Sequence, residues 1–91
     1  DLASGAASVT ADDTIVIIKK TTGEATTINL NASPVAGQRV TIKDGKGDAA
    51  TNAITIDPAG STTVDGASTL VLNTAYAAAD LVFNGTEWNR L

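Results

Sequence analysis

The sequence predicts an all-β domain, built either as a small antiparallel sandwich or as a β-helix-like stack of short strands ending in a hairpin. Three observations predict it. Short β-branched runs recur along the chain. Apolar and polar residues alternate cleanly in Arg39-Val40-Thr41-Ile42-Lys43, and Ala53-Ile54-Thr55-Ile56-Asp57 repeats the alternation from Ile54 on. Clusters of Gly, Pro, Asn and Asp separate these runs at the spacing of turns.

The elements follow in order. Residues 1–12 are mostly Ala, Ser and Gly and read as a flexible lead-in, with a single β domain over 13–91. Thr14-Ile15-Val16-Ile17-Ile18 and Thr26-Thr27-Ile28-Asn29-Leu30 read as two strands joined by a turn at Thr21-Thr22-Gly23-Glu24. Ser33-Pro34 and Gly37 interrupt pairing before the strand at Arg39-Lys43, whose Val40 and Ile42 share one face and Thr41 and Lys43 the other. Asp44-Gly45-Lys46-Gly47-Asp48 is a turn, Ala53-Asp57 a strand, and Pro58-Ala59-Gly60 its stop. Thr62-Val64 reads as a minor strand and Thr69-Leu72 as a further one. Thr74-Ala79, rich in alanine but too short for a stable helix, reads as an irregular connection. Leu81-Val82-Phe83 and Thr86-Glu87-Trp88 flank Asn84-Gly85, a two-residue hairpin signal that pairs Phe83 with Thr86 and Leu81 with Trp88. That register puts Trp88 on the face of Leu81 and Phe83. Strand pairs recur at a period of loosely 26 residues, as a quasi-repeat of strand-loop-strand units.

Composition bounds what this fold can rest on. A chain of 91 residues with one Trp, one Tyr and one Phe must build its core from aliphatic side chains. It has no cysteine for disulfides and no histidine for the usual zinc sites, so association with copies of itself is the expected source of extra stability. Ile15, Val16, Ile17 and Ile18 are apolar at every position, which asks for cover on both faces of the strand and marks them as the candidate subunit interface. The chain opens on Asp1 rather than Met, as an excised fragment or a processed product would.

The same composition argues against catalysis. Without His or Cys there is no Ser/His/Asp or Cys/His arrangement, and the carboxylates of Asp44, Asp48, Asp57 and Asp65 sit at turns, where aspartate serves its own backbone. The Asp44-Asp48 loop lacks the Gly-Lys-Ser/Thr ending of a phosphate loop and the ligand pattern of a calcium loop. No catalytic residue, metal ligand or cofactor is therefore expected. Net charge is −4 and the six basic residues are scattered along the chain, so nucleic acid is not an expected partner. No stretch approaches the ~20 apolar residues of a membrane span, so neither is a membrane. A ligand surface, where one exists, would draw on Trp88, Tyr76, Asp44, Lys46 and Asp48, although a lone tryptophan beside aliphatic strands belongs more naturally to the core.

Two stretches carry a resemblance: Val40-Thr41-Ile42-Lys43-Asp44 with Asn52-Ala53-Ile54-Thr55-Ile56, and Asn84-Gly85-Thr86-Glu87-Trp88 near the C-terminus. Together they resemble β-domains of tailed-bacteriophage virion proteins, a group of tail-fibre, tail-spike, head-fibre and decoration modules. The likeness covers about residues 14–91. It implies a homotrimeric module exposed on the virion, assembled in the host cytoplasm and in contact with other virion proteins. In some members it implies a role at a host receptor or host-surface glycan. The expected function is that of a structural virion module, a fibre or decoration protein. A carbohydrate- or receptor-binding module for host attachment is the first alternative, and a bacterial adhesin or surface-layer repeat the second.

Overall fold

A computed structural model of the chain describes residues 6–8, 15–19 and 25–91. The turn expected at Thr21-Glu24 and most of the lead-in lie outside these residues. Eight strands are present: β1 (Ala6–Ser8), β2 (Ile15–Ile18), β3 (Thr26–Asn29), β4 (Arg39–Asp44), β5 (Ile54–Asp57), β6 (Leu70–Leu72), β7 (Ala78–Phe83) and β8 (Trp88–Arg90). They form two four-stranded sheets, ordered β1-β3-β5-β6 and β2-β4-β7-β8, packed as a sandwich.

The expected sandwich is present, but its sheets are mixed rather than antiparallel. Strands β1 to β5 alternate between the sheets, and each pairs in parallel with the strand two steps on: β1 with β3, β2 with β4, β3 with β5. That is a coil. Ile15 lies beside Thr41, 26 residues later, and Thr26 beside Ile54, 28 residues later, so the loose period is the length of one turn of chain around the sandwich. Then the direction reverses. β6 joins β5, β7 joins β4, and β8 joins β7, all antiparallel. β2 and β3 accordingly go to opposite sheets and are not partners in a hairpin.

The period-2 pattern fixes which side chains meet. β4 and β7 both alternate outward and inward, which turns Val40, Ile42, Ala79, Leu81 and Phe83 into the interior. Ile28, Ile54 and Ile56 face them from the other sheet, with Ile18, Leu30, Leu72 and Trp88 completing the core. Burying an aliphatic side chain of this size stabilises by about 1.5–3 kcal/mol, so no single contact dominates and the total is spread over many small residues.

Three local expectations change. The segment read as a lead-in contributes β1, which pairs along β3 through its backbone; Ala and Ser have little strand propensity, so the pairing leaves no mark in the sequence. β7 begins at Ala78, because partners in β4 override the helix preference of alanine. The terminal hairpin is real but its loop has four residues: Phe83 pairs with Trp88, Val82 with Asn89 and Leu81 with Arg90. A two-residue turn would need positive φ at both Asn84 and Gly85, and only Gly85 has it, at 103°. Asn84 instead uses Oδ1 to accept from the N–H groups of Thr86 and Glu87 at 2.8 and 2.9 Å. The slip is by an even number of residues, so Trp88 keeps the face shared with Leu81 and Phe83.

Candidate functional site

Asp44 ends β4 with no exposed surface. Its Oδ1 accepts from the Gly47 N–H, and its Oδ2 from the N–H groups of Ala49 and Tyr76, each at 3.0 Å. One carboxylate thus ties the loop after β4 to the loop before β7. Burial pushes its pKa up, while N–H groups of Ala49, Gly47, Tyr76 and Lys46 pull it down and prevail, leaving it below the usual aspartate value. The turn expected here exists, and its first aspartate organises two loops.

Tyr76 stands on this carboxylate. Its φ is +60°, and among the described residues the only other non-glycine in that region is Asp65. An L-residue pays roughly 1–2 kcal/mol to sit there. The conformation is held from three sides. The Tyr76 N–H goes to Asp44, the Lys43 ammonium donates to the Tyr76 carbonyl, and the ring lies directly over Gly47. A Cβ on Gly47 would come within 2.4 Å of Tyr76 Cζ, and Gly47 has φ +86°, so both packing and backbone demand glycine. Even so, 58% of the tyrosine remains open to solvent.

One cation stands near the ring. Lys43 Nζ is 5.6 Å from its centroid. Lys46 is exposed on the loop beneath, and Gly45 packs against the side chains of Ile17 and Lys19. Hydrogen bonds from the Gly45 and Lys46 N–H groups to the Ile18 carbonyl, 2.9 and 3.2 Å, fasten this loop to the end of β2. Lysines scattered in sequence are therefore collected at one end of the sandwich. The carboxylates there turn inward: Asp44 is buried, and Asp48 accepts from Asn52 Nδ2 at 3.1 Å.

Of the residues proposed for a ligand surface, Tyr76, Asp44, Lys46 and Asp48 come together. Trp88 does not. It is fully buried against Phe83, ring centroids 5.4 Å apart, at the far end of the six-residue strand β4. Lys43 and Lys19 belong to the cluster and were not singled out by sequence. Lys43 was legible as an outward residue of its strand, but its meeting with Tyr76 depends on the pairing of β4 with β7.

The four residues of β2 divide. Ile18 is buried in the core and Val16 packs against it, whereas Ile15 and Ile17 point outward, 65% and 38% exposed. Ile15 lies in a row with Thr41 and Asp80, and Ile17 in a row with Lys43 and Ala78. Arg39 pairs with Asp80 at 2.7 Å on this same outer face. Among the described residues no three His, Cys, Asp or Glu side chains are placed to share a metal ion.

Comparison with known proteins adds one finding. The family model of the phage depolymerase C-terminal beta sandwich domain matches residues 2–89. No curated protein sequence matches the chain.

Proposed function

Because the chain belongs to the phage depolymerase C-terminal beta sandwich family, we propose that it is a non-catalytic structural module of a phage tail fibre or spike, which joins its copies through the outer face of β2. The family match and the two-sheet fold support a tail-associated structural role. Self-association rests on one observation. Ile15 and Ile17 are large aliphatic side chains exposed side by side on an edge strand, whereas β6 exposes a single one, Val71. A homotrimer covers this face and lends the thin core the area it lacks. Its place is the virion, after assembly in the host cytoplasm, with further virion proteins as neighbours.

The non-catalytic part of the reading has its own support. The chain has neither His nor Cys. The one fully buried aspartate among the described residues accepts three backbone N–H bonds and has no exposed surface, as suits a residue that holds two loops together. Native mass spectrometry at micromolar concentration tests the assembly. A trimer is expected, reduced to monomer by Ile15→Lys with Ile17→Lys, and a stable wild-type monomer refutes the interface.

A further inference from the structure

Asn84 and Gly85 form the exposed tip of the β7–β8 hairpin, at the border of the sheet opposite β2. Asn84 alone among the asparagines of the chain precedes a glycine. That neighbour decides its chemistry. The nitrogen of a residue without Cβ can approach the preceding carboxamide carbon with little steric hindrance, and the two are already held in one chain. The carboxamide, however, is fastened at both ends. Its Oδ1 accepts from the N–H groups of Thr86 and Glu87 at 2.8 and 2.9 Å, and its Nδ2 donates to Asn89 Oδ1 at 2.8 Å. The Asn84 N–H donates to the Glu87 carbonyl at 2.9 Å, which closes the loop.

We propose that Asn84 is a self-modification site, a succinimide-forming asparagine that these bonds keep latent until the hairpin tip opens. In the step itself the Gly85 nitrogen gives its proton to solvent base and attacks Asn84 Cγ. The N–Cγ bond forms, the Cγ–Nδ2 bond breaks, and Nδ2 takes up a proton and leaves as ammonia. Water then opens the ring. Addition at Cγ gives aspartate, whereas addition at the main-chain carbonyl gives isoaspartate, whose backbone runs through Cγ and is longer by a methylene. Cγ turns onto the Gly85 nitrogen only after the carboxamide leaves Thr86, Glu87 and Asn89, so the rate follows local opening of the tip. The two products differ in consequence. Aspartate keeps an oxygen for Thr86 and Glu87. Isoaspartate lengthens the loop and displaces Glu87 from Thr63 Oγ1 and the Gly66 N–H, now 2.8 and 2.7 Å away, which loosens the hairpin from the connection before β6. The site needs no contact between copies and stands apart from the self-association argued above.

The test is incubation of the 91-residue chain in mildly alkaline buffer, folded and in guanidinium, with peptide mapping by tandem mass spectrometry and enzymatic methylation of isoaspartyl carboxyls. Asn84 is expected to deamidate ahead of every other asparagine in guanidinium, and about tenfold more slowly in the folded chain. Asn89→Ala frees Nδ2 and should raise the folded rate about threefold, with the guanidinium rate unchanged and Trp88 fluorescence reporting an intact core. Another asparagine leading in guanidinium would overturn the site. Equal rates in the folded and unfolded chain, or a folded rate indifferent to Asn89→Ala, would overturn the latch. Should Asn89→Ala fail to fold, the two wild-type rates decide the question alone. The isoaspartyl form, separated by ion exchange, should melt below Asn84→Asp, and an equal midpoint would overturn the effect on the hairpin.

Discussion

Asp44 experiences two opposed effects, and hydrogen bonding outweighs burial. Its carboxyl is therefore harder to protonate in the folded chain than in the unfolded one. A carboxyl with a lowered folded pKa contributes stability that is fully present above its unfolded value, near pH 4, and is lost as pH falls through the folded value. Urea unfolding from pH 7 to pH 2 should show a plateau and then a decline. Asp44→Ala strands three N–H donors and should cost about 2–4 kcal/mol at pH 7. Asp44→Asn should cost less, because one amide oxygen can serve Ala49 and Tyr76 while its NH₂ opposes Gly47. For both, the deficit relative to wild type should shrink below pH 4. A deficit that stays constant to pH 2 would show that the carboxylate charge is not what those donors require. Gly47 gives a second residue-level prediction. Gly47→Ala meets both the Tyr76 ring and an unfavourable φ, so its cost should drop when combined with Tyr76→Asn, leaving a residue of about 1 kcal/mol from the backbone alone. Additive losses in that double-mutant cycle would mean that ring and loop do not touch.

At the scale of elements, legibility followed the strength of the side-chain pattern. β4 and β5 alternate cleanly and were placed to within a residue, since each has one buried and one outward face. β1 was invisible because Ala6–Ser8 joins the sheet through its backbone, and backbone pairing writes nothing into the sequence. The meeting of Lys43 with Tyr76 was equally hidden, because it arises only after β7 has paired with β4. Asp44 was visible as a turn residue, but its bond to Tyr76 spans 32 positions. The hairpin shows how local chemistry can be read correctly and registered wrongly. Asn-Gly signals a turn through its tolerance of positive φ, yet Asn84 serves as an acceptor in a longer loop. Glu87, at the end of that loop, accepts from Thr63 Oγ1 and the Gly66 N–H, tying the hairpin to the connection before β6. Asn84→Ala should then destabilise by about 1 kcal/mol, comparable with the loss of a helix N-cap, because the same kind of side-chain acceptor is removed. Thermal unfolding checks this, and an unchanged midpoint would indicate that the loop holds without its Asx bonds.

For the whole molecule the coil and its reversal set where association can occur. β1 and β2 are the outermost strands of the two sheets on the parallel side, while β6 and β8 bound the antiparallel side. The outward isoleucines lie on the first of these borders, and Tyr76 lies by the end of β4 next to it. If three chains meet over Ile15 and Ile17, unfolding and dissociation are linked, and the stability of the native state depends on chain concentration. The thermal midpoint should rise with concentration for the wild type. For Ile15→Lys with Ile17→Lys it should be independent of concentration and lower at every concentration, because the substituted face can no longer be buried without stranding two charges. Ile15 points out of the single chain, so an isolated domain would tolerate lysine there with little change, whereas Ile17 also packs on Gly45 and its replacement carries a cost within the chain. Trp88, the sole tryptophan and fully buried, reports core integrity by its fluorescence in the same experiment. A midpoint that does not move with concentration in the wild type, together with an unaffected double variant, would mean that the domain is complete as a single chain.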